Sequence, residues 1–314
     1  QPGVDRGAHS GTQAGRIPLW IPALGAIPLS QLTPQDLQTY YGEKLASGRR
    51  DGKGGLSPRT VRHHHVTLHT ALQSAVKWGL LTRNPAGSVD APRPRRQEMH
   101  TLDEDGMATF LEAARETPYY ALFYLALYTG MRRSELLALR WSDIDLDLAK
   151  LWVTRSFHRL RDGTGVFQAP KSAKGRRLIS LPTAAAEVLR EHRASQEKVH
   201  SFMETDPSDE DLVFAGSGGS PLLPDSVTHA WVRLARRTGL DVRLHDARHT
   251  HATLMLKQNV RPKVVQERLG HASIATTSDI YSHVLPGMQE EAAIGFDRAV
   301  AEARTGRRSE PDPG

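Results

Sequence analysis

Five short stretches of this chain carry side chains suited to chemistry. Tyr128-Thr-Gly-Met-Arg-Arg-Ser-Glu-Leu136 places two arginines just after a glycine break. A helix N-terminus there can also face an anion. Ala169-Pro-Lys-Ser-Ala-Lys-Gly-Arg-Arg177 is a basic turn between two expected strands. His245-Asp-Ala-Arg-His-Thr-His-Ala-Thr253 sets His245 and Arg248 three residues apart, on one face of a helix. Leu269-Gly-His-Ala-Ser273 sets a histidine at an expected helix start. Thr276-Thr-Ser-Asp-Ile-Tyr-Ser-His283 puts Tyr281 ten residues after His271. Guanidiniums pair bidentately with anionic oxygens and neutralise charge that builds on them. A lysine would lose that fork geometry. Histidine and lysine move protons, and a tyrosine hydroxyl titrating near ~10 needs a base before it attacks anything.

Each residue also has a plain reading. Arg132 can salt-bridge a surface helix, and Tyr281 can pack half-buried. His271 can cap a helix beside Gly270. Glu135 stands one turn beyond Arg132, where it would orient that arginine instead of reacting. His245, His249 and His251, or the run His63 to His65, are the residue type that binds metals. No glutamate sits near either group in a zinc-protease arrangement, so no metal is expected.

The elements that must position these residues follow from the patterning. Thr33-Pro34 and Ser57-Pro58 are helix starts. Leu37, Tyr41 and Leu45 recur every four residues behind the first. Val61, His65, Leu68, Leu72 and Ala75 form a helical stripe behind the second, with His63 and His64 expected to be exposed or near a bound partner. Ala91 to Gln97 is proline-rich and charged, as a linker is. Thr101 and Glu104 make a capping-box pattern ahead of Met107, Phe110, Leu111 and Ala114. Tyr119 to Tyr128 reads as a buried helix that Gly130 breaks, and Arg132 to Trp141 as its restart. Leu151, Val153, Arg155 and Phe157 share one face of an alternating segment that runs into an Asp162-Gly163 hairpin signal. Leu178, Ile179 and Leu181 suggest another strand. From Thr183 onward the chain reads helical, apart from a loop over Glu204 to Ser220.

The fold class expected is therefore mainly α with a small antiparallel β-sheet. The chain would divide into an irregular lead (1–16), a helical domain (17–92), a linker (93–100), a larger domain (101–306) and a tail (307–314). At 314 residues it is long enough for two ordinary domains. It has no cysteine, which removes thiol nucleophiles, disulfide scaffolds and Cys-ligated zinc, and fits a reducing compartment. The net charge of +6 favours a polyanionic partner only weakly. Ile17 to Gln35 is uncharged, but its four prolines argue against a membrane helix.

Taken together and in this order, the five stretches resemble the tyrosine recombinases, in particular the integrases of phages and mobile elements. The resemblance covers about Ile21 to Glu290. It implies a helical core-binding domain that grips DNA, followed by the catalytic domain. It implies a catalytic set of Arg132, Lys171, His245, Arg248, His271 and the nucleophile Tyr281, with Lys174 as the rival to Lys171. Glu135 would support Arg132. Ala247 stands where the family more often has a larger apolar residue, which should alter packing beside Arg248.

By the same resemblance, the chain would cleave and religate duplex DNA at attachment sites through a covalent 3′-phosphotyrosine, needing neither cofactor nor metal. No phosphate-binding Gly-x-x-x-x-Gly-Lys-Ser/Thr loop is present. Four protomers would assemble on DNA, each a clamp around one duplex and monomeric when off it. An accessory DNA-bending or directionality protein would be a further partner. The setting implied is the cytoplasm of a bacterial or phage-infected cell, at the nucleoid. Arg59, Arg62, Lys77 and Lys174 are the expected DNA contacts, mostly to phosphate and so salt-sensitive. Many members carry a further N-terminal domain for arm sites, and residues 1–16 are too few to hold one. The final helical stretch, Met288 to Arg304, would pack on its own domain or dock on a neighbour. Two other classes are a type IB topoisomerase and a DNA-binding protein without activity. The Thr276 to Tyr281 motif argues against the first, and the intact set from Arg132 to Tyr281 against the second.

Overall fold

A computed structural model describes residues 19–49, 51–94, 100–160, 162–170, 175–271, 273, 293–294, 296–298 and 300–301. The chain divides into two compact units, Gln1–Glu98 and Met99–Gly314.

The first unit contains helices α1 (Trp20–Leu24), α2 (Pro34–Ser47) and α3 (Pro58–Lys77). Thr33 and Asp36 cap α2 reciprocally, and Ser57 caps α3 through the Thr60 amide. A proline follows each cap, where its missing N–H costs nothing. Leu37, Tyr40 and Tyr41 of α2 pack with Val61 and Leu72 of α3. Leu45 is exposed instead. A repeat of four drifts about 40° per step on a 3.6-residue helix, so by Leu45 the pattern has left the core face.

The expectation for His64 is corrected. It is buried, and its Nδ1 shares a 3.0 Å hydrogen bond with the Tyr40 hydroxyl. The stripe on α3 passes between positions 64 and 65, so both rings turn inward, and His65 meets the Tyr41 hydroxyl at 3.2 Å. Burial pushes both tyrosines up to about 12. Burial also pushes both histidines below their ordinary value, helped by Lys44 at His64 and by His69 at His65. A histidine kept neutral in the fold contributes stability above its unfolded pKa, and that stability is lost as pH falls below it. The protein should therefore unfold at lower denaturant as pH falls through the ordinary histidine range near ~6.5, read by denaturant titrations at a series of pH values. A flat profile would mean that these histidines do not couple to folding.

The second unit begins with α4 (Glu104–Ala114) and α5 (Tyr120–Thr129). The cap of α4 is Asp103, which accepts the Gly106 amide at 2.8 Å. Thr101 stands two residues too early, which corrects the capping-box reading. Helix α5 is buried along nearly its whole length and packs against α4, α7 (Thr183–Phe202) and α9 (Asp246–Lys257). Phe110 and Phe123 close on Trp231 of α8 (Pro224–Arg237), with ring centroids 4.2 and 5.1 Å away. Helix α10 (Pro262–Leu269) follows α9.

The restart after Gly130 is short. It gives α6 (Arg133–Leu136), then a turn of 3-10 helix over Trp141–Asp143. The strands are β1 (Ile144–Asp145), β2 (Lys150–Val153), β3 (Ser156–Arg159), β4 (Gly165–Gln168) and β5 (Arg177–Ser180). They form two antiparallel sheets, β1-β2-β5 and the hairpin β3-β4, where a single small sheet was expected. The alternating segment breaks at Thr154 and Arg155. Thr154 donates to Asp143 and Arg155 donates to the Ala138 carbonyl, so both leave the strand direction. Leu151 pairs with Ile179 on the buried face of the three-stranded sheet, and Trp152 with Leu178 on the outer face.

Among the described residues no helix is long and apolar enough to cross a membrane. The lead, the tail and most of Met288 to Arg304 lie outside the described residues. Within that last stretch Ile294, Phe296 and Val300 are exposed.

Candidate active site

Gly130 ends α5 in the left-handed region, at φ +63°. Its backbone turns the chain so that Arg132 becomes the N-cap of α6. Glu135 lies in the first turn of that helix, 7% exposed, and accepts the Arg132 amide at 2.8 Å and Arg132 Nη1 at 2.8 Å. Arg177, from the start of β5, supplies two more bonds, Nη1 at 3.1 Å and Nη2 at 2.8 Å. Burial pushes the Glu135 carboxyl up, but the Arg177 hydrogen bonds and charge, with the Arg132 amide and charge, hold it below its ordinary value. The carboxylate thus fixes one edge of the Arg132 guanidinium. The side chain stays 41% exposed, which leaves another edge open to an anion.

Arg248 is held differently. It lies in the first turn of α9, behind the N-cap His245, and is 3% exposed. Nη1 donates to the Gly130 carbonyl at 2.8 Å and Nη2 to the Leu269 carbonyl at 2.5 Å. Both acceptors are helix-end carbonyls, a polar pair that would otherwise need water or a cap. Arg132 Nη2 reaches the next carbonyl, Gly270, at 3.4 Å. Burial, and then Arg132, brings Arg248 down to about 9. Two guanidiniums thus crowd one another where an anion would relieve them.

His271 follows Gly270, which is left-handed at φ +66° and ends α10. The histidine therefore directly follows a helix end, because left-handed glycine is a C-terminal cap, and the helix expected to start at His271 lies outside the described residues. The Gln266 side chain fixes its backbone, donating to the His271 carbonyl at 3.2 Å. Burial pushes His271 down to about 4, with Arg248 and Arg132 adding to the effect. Loss of solvent lowers His245 and His249 as well, with Arg248 adding to the first and His245 to the second. All three imidazoles are thus held towards the neutral form, which accepts protons.

The structure gathers Arg132, Glu135, Arg248, His245 and His271 around one place. Lys171, Lys174 and Tyr281 lie outside the described residues. Arg59, Arg62 and Lys77 are exposed on α3, in the other unit. Ala247 is 2% exposed and packs in the core beside Arg248.

Two residues were missed. Arg177 is one, although it closes the basic turn read from the sequence. Arg268 is the other, and it engages His251, which the sequence offered only as a metal-binding type. Arg268 Nε donates to His251 Nε2 at 3.0 Å, while His251 Nδ1 donates to the Leu127 carbonyl at 3.0 Å. Burial, with Arg268, takes His251 down to about 3. Both its ring nitrogens are occupied, so it has no lone pair for a metal. Among the described residues no group of three or more His, Asp or Glu is placed to hold one.

Gly130→Ala tests how tightly this frame is built. A Cβ there would stand 2.5 Å from Leu269 Cδ2 and would force an L residue into a positive φ. The variant should lose about 1–3 kcal/mol in urea unfolding. It should also lose cleavage activity, because the Gly130 carbonyl carries Arg248. Wild-type stability would show that the turn accommodates a side chain.

A helical unit with two small antiparallel sheets fixes two arginines beside histidines that burial holds towards the neutral form, an arrangement suited to an anion. The sequence pattern of the phage integrase family matches residues 100–287. The chain belongs to that family, and it is a tyrosine-type site-specific recombinase. It is 28% identical to a XerC-like tyrosine recombinase of Caldanaerobacter subterraneus over 86% of this chain and 72% of the relative. It is 30% identical to the ICEBs1 integrase of Bacillus subtilis over 77% of this chain and 66% of that one. The fold superposes on the Tn1549 transposon integrase in complex with a circular intermediate DNA, with a TM-score of 0.74, 20% identity and 90% of each chain covered.

Proposed function

We propose that this recombinase integrates or excises a mobile element by cutting and rejoining DNA through a 3′-phosphotyrosine. The observation that carries the reading is the locked pair Arg132 and Arg248, with His245 at the N-cap between them in sequence and His271 after α10. Each guanidinium has protein partners on one edge, which fixes where the other edge points. The pair would hold the nonbridging oxygens of one phosphodiester and neutralise the charge that grows in the transition state.

The Tyr281 oxygen would attack phosphorus, giving its proton to a neutral histidine. The bond to the 5′ oxygen then breaks, and that oxygen takes a proton from Lys171. Reversal by the 5′ hydroxyl of another strand rejoins the DNA and frees the tyrosine, so no outside energy source enters. The first unit would grip the duplex through Arg59, Arg62 and Lys77, and four protomers would pair two attachment sites. The integrase relatives from mobile elements support this use. Exposed Ile294, Phe296 and Val300 suit docking of the last helical stretch on a neighbouring protomer.

The test uses a nicked suicide duplex carrying the element's own attachment site. A covalent adduct should form in EDTA and vanish in Tyr281→Phe, with duplex binding intact. An adduct that persists in the variant, or that requires Mg²⁺, would overturn the reading. Cleavage kept in Lys171→Ala but lost in Lys174→Ala would transfer the acid role to Lys174.

A further inference from the structure

The cavity that Arg132 and Arg248 border has a volume of about 450 Å³ and extends to Arg133, Arg243 and His158. Four arginines and two histidines are among its described lining residues, and no carboxylate is. Three of these arginines already have fixed partners. Arg132 and Arg248 are held as described above. Arg133 donates to Thr228 Oγ1 at 2.6 Å and to the Pro224 carbonyl at 3.0 Å. Asp225 stands 3.9 Å from it but is 89% exposed, so water screens that pair.

Arg243 differs. Its backbone amide donates to Asp246, yet no carboxylate among the described residues lies within ion-pair distance of its guanidinium. It precedes His245 by two residues, at the approach to α9. His158 closes that side of the cavity, its Nε2 tied to Ser156 at 3.0 Å.

A phosphodiester carries one negative charge, and two arginines suffice to hold it. Arg133 and Arg243 then remain as surplus positive charge in the same cavity. Cations that line one cavity without a carboxylate among them raise its positive potential, which a second anion would offset. In duplex DNA the nearest other phosphate is the neighbour on the same strand. We propose that Arg243, with Arg133 and His158, forms a second phosphate subsite for the DNA backbone phosphate adjacent to the reacting one. The identity of the ligand rests on the recombinase reading above, while the excess of cations in the cavity stands without it. Arg243 here is a binding and positioning residue, not one that touches the breaking bond.

The experiment pairs Arg243→Gln with a suicide duplex in which one phosphate at a time is replaced by a neutral methylphosphonate. Binding is followed over a range of salt concentrations. Arg243→Gln should lower the slope of log affinity against log salt by about 0.9, as loss of one phosphate contact does. Arg243→Lys should restore most of that slope. One methylphosphonate, next to the cleaved position, should weaken wild type clearly more than it weakens Arg243→Gln, in which only Arg133 and His158 remain to lose a contact. Additive effects at every position, or an unchanged salt slope, would overturn the subsite. The recombinase reading fails separately: a wild-type protein that forms no adduct but keeps the Arg243 coupling would retain the subsite and lose the cleavage chemistry.

Discussion

Arg248→Lys should lower the single-turnover rate of adduct formation by at least about 10²–10³-fold, the scale of losing one preorganised oxyanion donor. Duplex affinity at moderate salt should change only a few-fold, because phosphate contacts elsewhere dominate it. The asymmetry follows from geometry. Arg248 spends Nη1 on Gly130 and Nη2 on Leu269, and so offers its remaining N–H groups in a fixed direction. A lysine is a point charge on a flexible stem and has no fork to divide between two carbonyls and a phosphate. It would also leave a helix-end carbonyl short of its donor, so the urea midpoint should fall too. Arg248→Lys that cleaves within tenfold of wild type would remove Arg248 from the phosphate site.

The legible parts of this protein were the local ones. Thr33-Pro34 and Ser57-Pro58 start helices because cap and first turn are set by adjacent residues. Asp162-Gly163 turns a hairpin for the same reason, accepting the Thr164 amide within the turn. The misreadings have a common cause, which is that side-chain partners lie far along the chain. His64 looked exposed because its partner Tyr40 is 24 residues away. The alternating segment after Leu151 looked continuous because nothing local announces that Thr154 turns to Asp143 or Arg155 to Ala138.

Within the site, the sequence names the types of residue and not their alignment. Arg177 was visible as one cation in a basic turn. Its bonds run to Glu135, 42 residues back, and to the Arg268 carbonyl, 91 residues ahead. Arg268 in turn joins α10 to the Tyr128 carbonyl at the end of α5 and to Ser180 on β5. Helix α5, the sheet and α10 are thus tied by arginine side chains to backbone carbonyls. This frame sets the Gly130 and Leu269 carbonyls at the spacing that Arg248 spans.

Glu135→Gln should cost about 3–5 kcal/mol of unfolding free energy near neutral pH, the usual loss when one partner of a buried ion pair is removed. Glu135 and the Arg177 side chain are 7% and 5% exposed, so water cannot replace what is lost. The amide would also turn N–H groups towards donors, leaving Arg177 without its two-pronged acceptor. The pH dependence gives an independent arm. The folded Glu135 pKa lies below its unfolded value of 4.5, so the carboxylate contributes stability above that pH and loses it as pH falls further. Wild type should weaken on acidification through this window more steeply than Glu135→Gln. A double variant, Glu135→Gln with Arg177→Met, should recover part of the stability, since the uncompensated cation is then gone. It should not recover cleavage, because Arg132 would still lack the carboxylate that fixes it. Recovery of both together would show that Glu135 only neutralises Arg177. Recovery of stability alone separates holding the fold from aiming Arg132, and places the second task on the same carboxylate.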